Sequence, residues 1–275
     1  MLELMRRYVH GFVNAHDPDV ARSIMAAEYR LHMGSDTLVG RDEQYIPAVL
    51  HQMAQFPGLG FSIHELITDG TRTALLFSEH GHAGRPPGHG AAWRGVSIYR
   101  AEDGLLAECW VEQDHFGRRH QLAVGEPEQV RPVALDPWSG HERGDGTDRA
   151  HADRAHAERA LRAWLGELAS WPPAEGEVDA GVSGSTQPSI AVASVALNAF
   201  VVEGSRVAFN ATISGTYQGG LPDGGGHGAA VATAIGAFAR LEDGRLTGLD
   251  AISNRVLVQR QLRASPQGAT ASPTA

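Results

Sequence analysis

The chain has 275 residues, 42% of them hydrophobic and 20% charged, which at ~150 residues per domain predicts a globular protein of about two domains. The net charge is −9 and all 23 basic residues are arginine, which argues against a nucleic-acid surface and excludes a catalytic or phosphate-binding lysine. Cys109 is the single cysteine, so an internal disulfide and a multi-cysteine zinc site are both excluded. Because no window approaches the ~20 apolar residues of a membrane span, we expect a cytoplasmic protein whose partner is a small molecule or another protein.

The first part of the chain combines helices with one short extended segment. Apolar residues at helical spacing predict helices over residues 1–16, 20–28 and 40–53. Residues 29–32 lie between the last two helices and are predicted to be extended.

From Phe61 the apolar period changes from helical to alternating. Turns that contain Gly or Pro separate four predicted strands, at 61–68, 72–82, 92–100 and 105–114. Helices followed by a meandering antiparallel sheet describe an α+β domain, which we place at residues 1–125.

The remainder of the chain repeats this organisation in shorter form. Residues 126–146 are rich in Pro, Gly and charge and predict a linker, residues 147–263 predict a second domain with a first helix followed by strands, and 264–275 predict a disordered tail. The four predicted strands of the second domain are 189–202, 206–217, 229–240 and 246–254.

The two halves can be superimposed on each other at a constant offset. The segment 103–114 matches 243–254 at an offset of 140, and Gln121-Leu122 matches Gln261-Leu262 at the same offset. The sequence therefore predicts a duplication of one α+β unit, in which the second copy has a shortened stretch before its sheet.

Several motifs of the first half occur together in one known family. They are a first helix ending in His-Asp-Pro-Asp, a strand with His32, the Gly40-Arg41 helix start, Gly-His82-Ala-Gly, and Asp-Gly-Leu-Leu-x-Glu-x-Trp110-x-x-x-Asp114 followed by Gln121-Leu122. Through these motifs the first half resembles the SnoaL-like polyketide cyclases of the nuclear transport factor 2-like superfamily. The resemblance spans residues 1–122 and, in weakened form, 147–262. The resemblance implies a cone-shaped fold, in which a curved sheet wraps around helices and encloses a deep pocket.

Strand alternation and the resemblance together select candidate residues. Glu108, Trp110, Glu112 and Asp114 share one strand face, and an aromatic wall beside carboxylates suits a flat apolar substrate that gains or loses protons. The resemblance implies that Asp114 is the general acid/base and that His82 lies in the same pocket. The alternative for Asp114 is that it caps the strand or pairs with a neighbouring arginine, Arg118 or Arg119.

Further candidates come from the neighbouring strands. The resemblance places His32 where the first strand of the family faces the cavity and so implies that it contacts substrate or relays a proton. Trp93 and Tyr99 fall on one strand face by alternation and are expected to line either the pocket or the core. His82, with His80 and His89, could also suggest a metal, but a His-x-His beside a Gly-Pro loop more often forms a hairpin rim, so we expect no metal.

A carboxylate pair offers a different chemistry. Asp36 and Glu65 resemble the pair of the epoxide-opening members of the superfamily, although their positions fit that pattern only approximately. We expect no cofactor, because the Gly-rich stretch 219–228 joins two strands without opening a helix.

The second copy departs from the pattern at the candidate residues. Asn254 matches Asp114, Asp250 matches Trp110 and Tyr217 replaces His82, so we expect the second copy to act as a structural partner in an intramolecular pseudo-dimer. The chain would then be a monomer of this kind or form homodimers.

The leading hypothesis is a cofactor-free cyclase or isomerase acting on a hydrophobic polyketide-type compound. The alternatives are epoxide opening by Asp36 and Glu65, and a protein that binds a small molecule without chemistry.

Overall fold

A computed structural model describes residues 1–141, 148–173, 180–182, 186–222 and 225–264. Residues 265–275 of the predicted tail and residues 142–146 of the predicted linker therefore lie outside the described residues.

The N-terminal helices form because their apolar residues fall on one face. Helix α1, Leu2–Arg6, continues as a π-helical turn over Arg7–Val13, and α2 spans Pro18–Ile24. The Asp17 side chain caps α2 by accepting a hydrogen bond from the Asp19 amide at 2.9 Å. A strand begins at Met25, directly after α2. The helix predicted over 20–28 therefore ends at Ile24, and residues 25–28 belong to the strand.

The first sheet has six strands, which surround these helices. The strands are β1 Met25–Met33, β2 Asp36–Val39, β3 Gly60–Thr68, β4 Arg72–His82, β5 Gly90–Glu102 and β6 Leu105–Gln113. Their order is β2-β1-β6-β5-β4-β3, and every pair is antiparallel except β1 with β6. A π-helical turn at Arg41–Tyr45 leads into α3, Ile46–Gln55, and α4, His115–Val124, follows β6.

The second sheet also has six strands. Helix α5, Asp148–Glu167, precedes it, and α6, Arg255–Ala264, follows it. The strands are β7 Ser170–Trp171, β8 Ala180–Val182, β9 Ser189–Glu203, β10 Arg206–Gly219, β11 Ala230–Glu242 and β12 Arg245–Ser253. Their order is β7-β9-β10-β11-β12-β8.

The structure repeats contacts at the offset found in the sequence. Gln121 Oε1 accepts a hydrogen bond from the Ala92 amide at 2.8 Å, and Gln261 Oε1 accepts one from the Ala232 amide at 2.8 Å. Each residue of the second pair lies 140 positions after its counterpart in the first. The hydrogen bond of Gln121 thus connects α4 to β5, and that of Gln261 connects α6 to β11.

The two sheets pack against each other through their outer faces. The cluster between them consists of Ile67, Ala74, Leu76, Val96 and Ile98 of the first sheet with Ala199, Val201, Ala208, Phe238 and Ile252 of the second. Two curled sheets packed face to face agree with the predicted α+β fold class, while the duplication of one unit that a pseudo-dimer requires stays a prediction. Because the second sheet covers the outer face of the first, consecutive side chains of β4 and β5, which point to opposite faces, are buried over most of these two strands.

The described part of the predicted linker, 126–141, crosses the edge of the first sheet. The Ala134 amide donates to the Ile63 carbonyl at 2.9 Å, and the Trp138 ring lies 5.5 Å from the ring of His10. This segment therefore pairs with the edge strand β3 and packs on the N-terminal helix.

Candidate active site

A cavity of about 290 Å³ lies between the concave face of the first sheet and the helices that it surrounds. Most of its wall is apolar, formed by Val13, Leu31, Met33, Leu38, Ala48, Val49, Leu59, Phe61, Phe77 and Val111. Its polar groups are Tyr8, Asp36, Tyr45, Gln52, Glu79, Tyr99, Gln113 and His115. An apolar cavity with a few converging polar groups is the usual form of a small-molecule site.

Glu79 is the buried carboxyl of this cavity. It lies on β4, on the same strand face as Phe77, and its Oε2 accepts a hydrogen bond from Gln52 Nε2 at 2.6 Å. Burial raises the pKa of Glu79 to about 7, while the bond from Gln52 and the nearby charge of Arg118 oppose the rise. A carboxyl with a pKa near 7 can both take and return a proton at neutral pH.

A second group of hydrogen bonds joins Trp93, Gln113 and His115 beside the cavity. Trp93 Nε1 donates to Gln113 Oε1 at 2.9 Å, and His115 Nε2 lies 3.1 Å from the same oxygen. Since that oxygen is an acceptor, His115 donates from Nε2. Burial, together with the charges of nearby arginines, lowers the pKa of His115 to about 3, so its ring is neutral.

Three tyrosines form the opposite polar patch of the cavity. The hydroxyl oxygens of Tyr8 and Tyr45 are 2.9 Å apart, and the Tyr99 ring lies 5.1 Å from the ring of Tyr8. Burial raises the pKa of all three hydroxyls well above the ordinary value, so they remain protonated and can donate hydrogen bonds.

The predicted candidates on β6 share one face, but it is the outer face. Trp110 packs against the cluster between the sheets, and Glu112 is 1% exposed and bonds to Asn254 of the second half. The cavity is lined instead by Val111 and Gln113 of the opposite parity. The alternation was predicted correctly and the face was assigned wrongly, because both faces of this strand are buried.

Asp114 lies outside the cavity lining. Its Oδ1 accepts a hydrogen bond from the Gly117 amide at 2.8 Å, which caps α4, and its carboxylate pairs with Arg255 of α6. The structure thus shows a cap and an ion pair, but the cap is on helix α4 and not on the strand, and the partner is Arg255 and not Arg118 or Arg119. The catalytic role of Asp114 stays a prediction.

The two predicted histidines also lie outside the cavity lining. His32 is stacked on Trp110 on the outer face and its Nε2 lies 2.9 Å from Glu108 Oε1. His82 is exposed at the end of β4, beside Gly90. Neither imidazole is therefore placed with Glu79.

The remaining candidates divide between the two faces. Tyr99 lines the cavity and Trp93 is buried beside it, as their shared parity predicted. Asp36 lines the cavity and is exposed, whereas Glu65 lies on the outer face, where its Oε1 is 3.8 Å from Arg206. The structure does not bring the Asp36 and Glu65 carboxyls together in one pocket.

The sequence interpretation missed Glu79, Gln52, Gln113 and His115. A signal for Glu79 was present, because residues 75, 77 and 79 alternate with 74, 76 and 78 along β4. A carboxyl on the same parity as Leu75 and Phe77 is a polar group on an otherwise apolar face. The histidine at 115 follows the last strand and had no such pattern.

Other kinds of site were also sought in the described ranges. No three His, Cys, Asp or Glu side chains of the described residues are grouped to hold a metal ion. Within the same ranges no helix has the length and apolar character needed to span a membrane.

The sequence of the first half matches a known domain model. The match covers residues 5–109 and the model is that of the SnoaL-like domain. Residues 5–109 are therefore similar to a SnoaL-like domain, and the first half of the chain is called the SnoaL-like domain below. The match includes β1 to β5 and the start of β6, and thus Glu79 and most of the cavity wall. No curated protein sequence matches the chain.

Several solved structures are similar to this chain. IdmH of Streptomyces antibioticus, a candidate polyketide cyclase, is 18% identical with a TM-score of 0.40, over 44% of this chain and 96% of that one. A candidate SnoaL-like polyketide cyclase from Jannaschia sp. CCS1 is 20% identical with a TM-score of 0.41, over 46% and 92%. An LEH-like epoxide hydrolase of M. tuberculosis is 12% identical with a TM-score of 0.39, over 45% and 85%.

Proposed function

We propose that the SnoaL-like domain is an enzyme that moves a proton on a hydrophobic, carbonyl-containing compound of the polyketide type, with Glu79 as its general acid/base. The observation that carries the proposal is the position of Glu79, a buried carboxyl with a pKa near 7 in the wall of an apolar cavity. The polyketide class rests on the match to the SnoaL-like domain.

The proposed reaction begins with ionised Glu79. Its carboxylate takes a proton from the carbon next to a substrate carbonyl, and the electron pair of that C–H bond moves onto the carbonyl oxygen. In the Tyr8–Tyr45 pair one hydroxyl donates to the other, and the accepting hydroxyl keeps its own hydrogen free to donate to this oxygen as its negative charge develops. Tyr99 lines the same cavity and can supply a second donor.

The second half of the reaction returns the proton. In an isomerisation of a β,γ-unsaturated ketone, loss of the α-proton gives a dienolate, and the carboxyl of Glu79 protonates its γ-carbon. In a ring closure, the enolate carbon attacks a second carbonyl of the same molecule, and Glu79 protonates the resulting alkoxide. Gln52 keeps the Glu79 carboxyl in place through both steps.

The first step can be tested with 2-tetralone, a two-ring ketone with an acidic C–H group. We expect the protein to accelerate incorporation of deuterium into this ketone from D₂O, and the Glu79→Gln variant to lose ~10²–10⁴-fold of that acceleration. Glu28→Gln, which changes an exposed carboxyl on β1, is the matched control. If Glu79→Gln exchanges the ketone as fast as the unmodified protein, the proposed role of Glu79 is wrong.

The same assay separates the two alternative functions. Binding of 2-tetralone without faster deuterium incorporation would favour the non-catalytic binding protein. Epoxide opening by Asp36 with Glu65 has no supporting geometry, because Glu65 lies on the outer face of the sheet against Arg206.

A further inference from the structure

Two adjacent residues of the second half of the chain contact the first half beside the cavity lining. Asn254 and Arg255 stand at the start of α6, and each contacts a buried carboxylate of the first half. Glu112 and Asp114 are those carboxylates, with 1% and 3% exposure. Both lie at the end of β6, which brings the two contacts close together.

The first contact reaches the β1–β2 hairpin through Glu112. Asn254 Nδ2 donates to Glu112 Oε2 at 3.0 Å, and the Gly34 amide donates to Glu112 Oε1 at 2.8 Å. Asn254 Oδ1 meanwhile accepts from the Leu257 amide at 3.0 Å and so caps α6. Each heteroatom of the Asn254 amide therefore has a defined partner.

The hairpin turn fits closely onto the second half. Gly34 has a φ of +60°, and a Cβ at this position would lie 2.5 Å from Asn254 Nδ2. The residues on either side of the turn, Met33 and Asp36, both line the cavity. Displacing the turn would therefore move the cavity wall.

The second contact reaches the start of α4 through Asp114. Arg255 pairs with this carboxylate, donates from Nη1 to the Thr186 carbonyl at 2.8 Å and lies over the Phe116 ring at 4.7 Å. Asp114 caps α4, whose first residue is His115 of the cavity.

We propose that Asn254 is a positioning residue for the cavity of the SnoaL-like domain, because its hydrogen bond to Glu112 fixes the hairpin turn at Gly34. Arg255 has the same role at the start of α4. The inference rests on the proposed function only in so far as the positioned cavity binds the substrate.

The experiment concerns the hydrogen bond between residues 254 and 112. One substitution removes its donor, and a second substitution restores a donor from the opposite side. Asn254→Asp keeps the cap on α6 but replaces the amide donor with a carboxylate that faces Glu112. Because burial raises the pKa of Glu112 to about 7, the variants are compared at about pH 9, where the Glu112 carboxyl is largely ionised and does not donate a proton to residue 254. Adding Glu112→Gln restores a donor, since the new amide can donate to residue 254 and still accept from the Gly34 amide. The double variant is therefore a conservative rescue of the single one.

Two readouts follow the hairpin and the cavity separately. Asn254→Asp should increase deuterium uptake by the backbone of residues 33–38 and leave that of β4 unchanged. It should also weaken equilibrium binding of 2-tetralone about tenfold, as expected for one lost hydrogen bond to a charged group. The double variant should return both quantities to within about twofold of the unmodified protein.

Control variants separate this inference from the proposed function. Arg162→Gln changes an arginine of α5 that pairs with Glu158 and should leave both readouts unchanged. Unaltered exchange of residues 33–38 in Asn254→Asp, or failure of the double variant to rescue, would overturn the inference. If Glu79→Gln incorporates deuterium into 2-tetralone as fast as the unmodified protein, the proposed function alone is overturned, because backbone exchange of the hairpin does not depend on the Glu79 carboxyl.

Discussion

Replacing Glu79 by Gln should stabilise the folded chain at alkaline pH. The side chain keeps its size, and its amide oxygen can still accept the hydrogen bond that Gln52 Nε2 donates to the carboxylate at 2.6 Å. The change removes the titration of this position and leaves the apolar wall around it unaltered.

The magnitude follows from the pKa of the carboxyl. Burial, the largest cause, raises the pKa of Glu79 from 4.5 to about 7 on folding. Between these values the folded state binds more protons than the unfolded state, so stability is highest below the lower pKa and falls as the pH rises through the upper one. At ~1.36 kcal/mol for each pKa unit, the free energy of unfolding falls by about 3 kcal/mol by about pH 8.

Urea unfolding followed by tryptophan fluorescence measures this difference at about pH 4.5 and about pH 8. The free energy of unfolding of Glu79→Gln, relative to the unmodified protein, should rise by about 3 kcal/mol between the two pH values. Glu28→Gln changes an exposed side chain, so its free energy of unfolding relative to the unmodified protein should be the same at the two pH values. A Glu79→Gln difference that does not change with pH would show that folding leaves the pKa of this carboxyl unaltered and would refute the reasoning.

Three further variants test the other contacts. Asp114→Asn keeps a side chain that caps α4 at Gly117 but leaves the buried Arg255 cation without its carboxylate, so the free energy of unfolding should fall by about 3–5 kcal/mol while the folded variant still incorporates deuterium into 2-tetralone. Complete loss of incorporation in a variant that tryptophan fluorescence shows to be folded would make Asp114 the catalytic group. Arg255→Met removes the cation of a buried ion pair and should lower the free energy of unfolding by about 3–5 kcal/mol in urea titrations, whereas a change below about 1 kcal/mol would contradict the pairing. Tyr8→Phe removes a hydroxyl that lies 2.9 Å from that of Tyr45 and should lower the rate of deuterium incorporation by about 10²-fold or more, and an unchanged rate would exclude Tyr8 as a donor.

The sequence predicted the strands well because their patterns and turns are local. The predicted strand over 72–82 coincides with β4, and those over 61–68 and 105–114 differ from β3 and β6 by one residue at one end. The helices that follow β6 and β12 were missed. Their apolar faces are short, and their caps, Asp114 and Asn254, also continue the strand alternation.

The face that lines the cavity could not be predicted from alternation alone. Alternation shows that Trp110 and Glu112 share one face of β6 and that Val111 and Gln113 share the other. In a sheet with one exposed face, hydrophobicity would identify the inner set. Here the second sheet covers the outer face, so polar side chains such as Glu112 are as buried on that side as on the inner one.

The match of Asp114 with Asn254 in the repeat has a structural explanation. Both side chains cap the helix that follows the last strand of their sheet, and each accepts from the amide three residues on, Gly117 or Leu257. Aspartate and asparagine serve equally as such caps. Only asparagine also offers an N–H donor, which position 254 uses towards the carboxylate of Glu112. The contact with Glu112 of the first half therefore explains why position 254 carries an asparagine. The inability of this amide to transfer a proton is a consequence of that choice and not its cause.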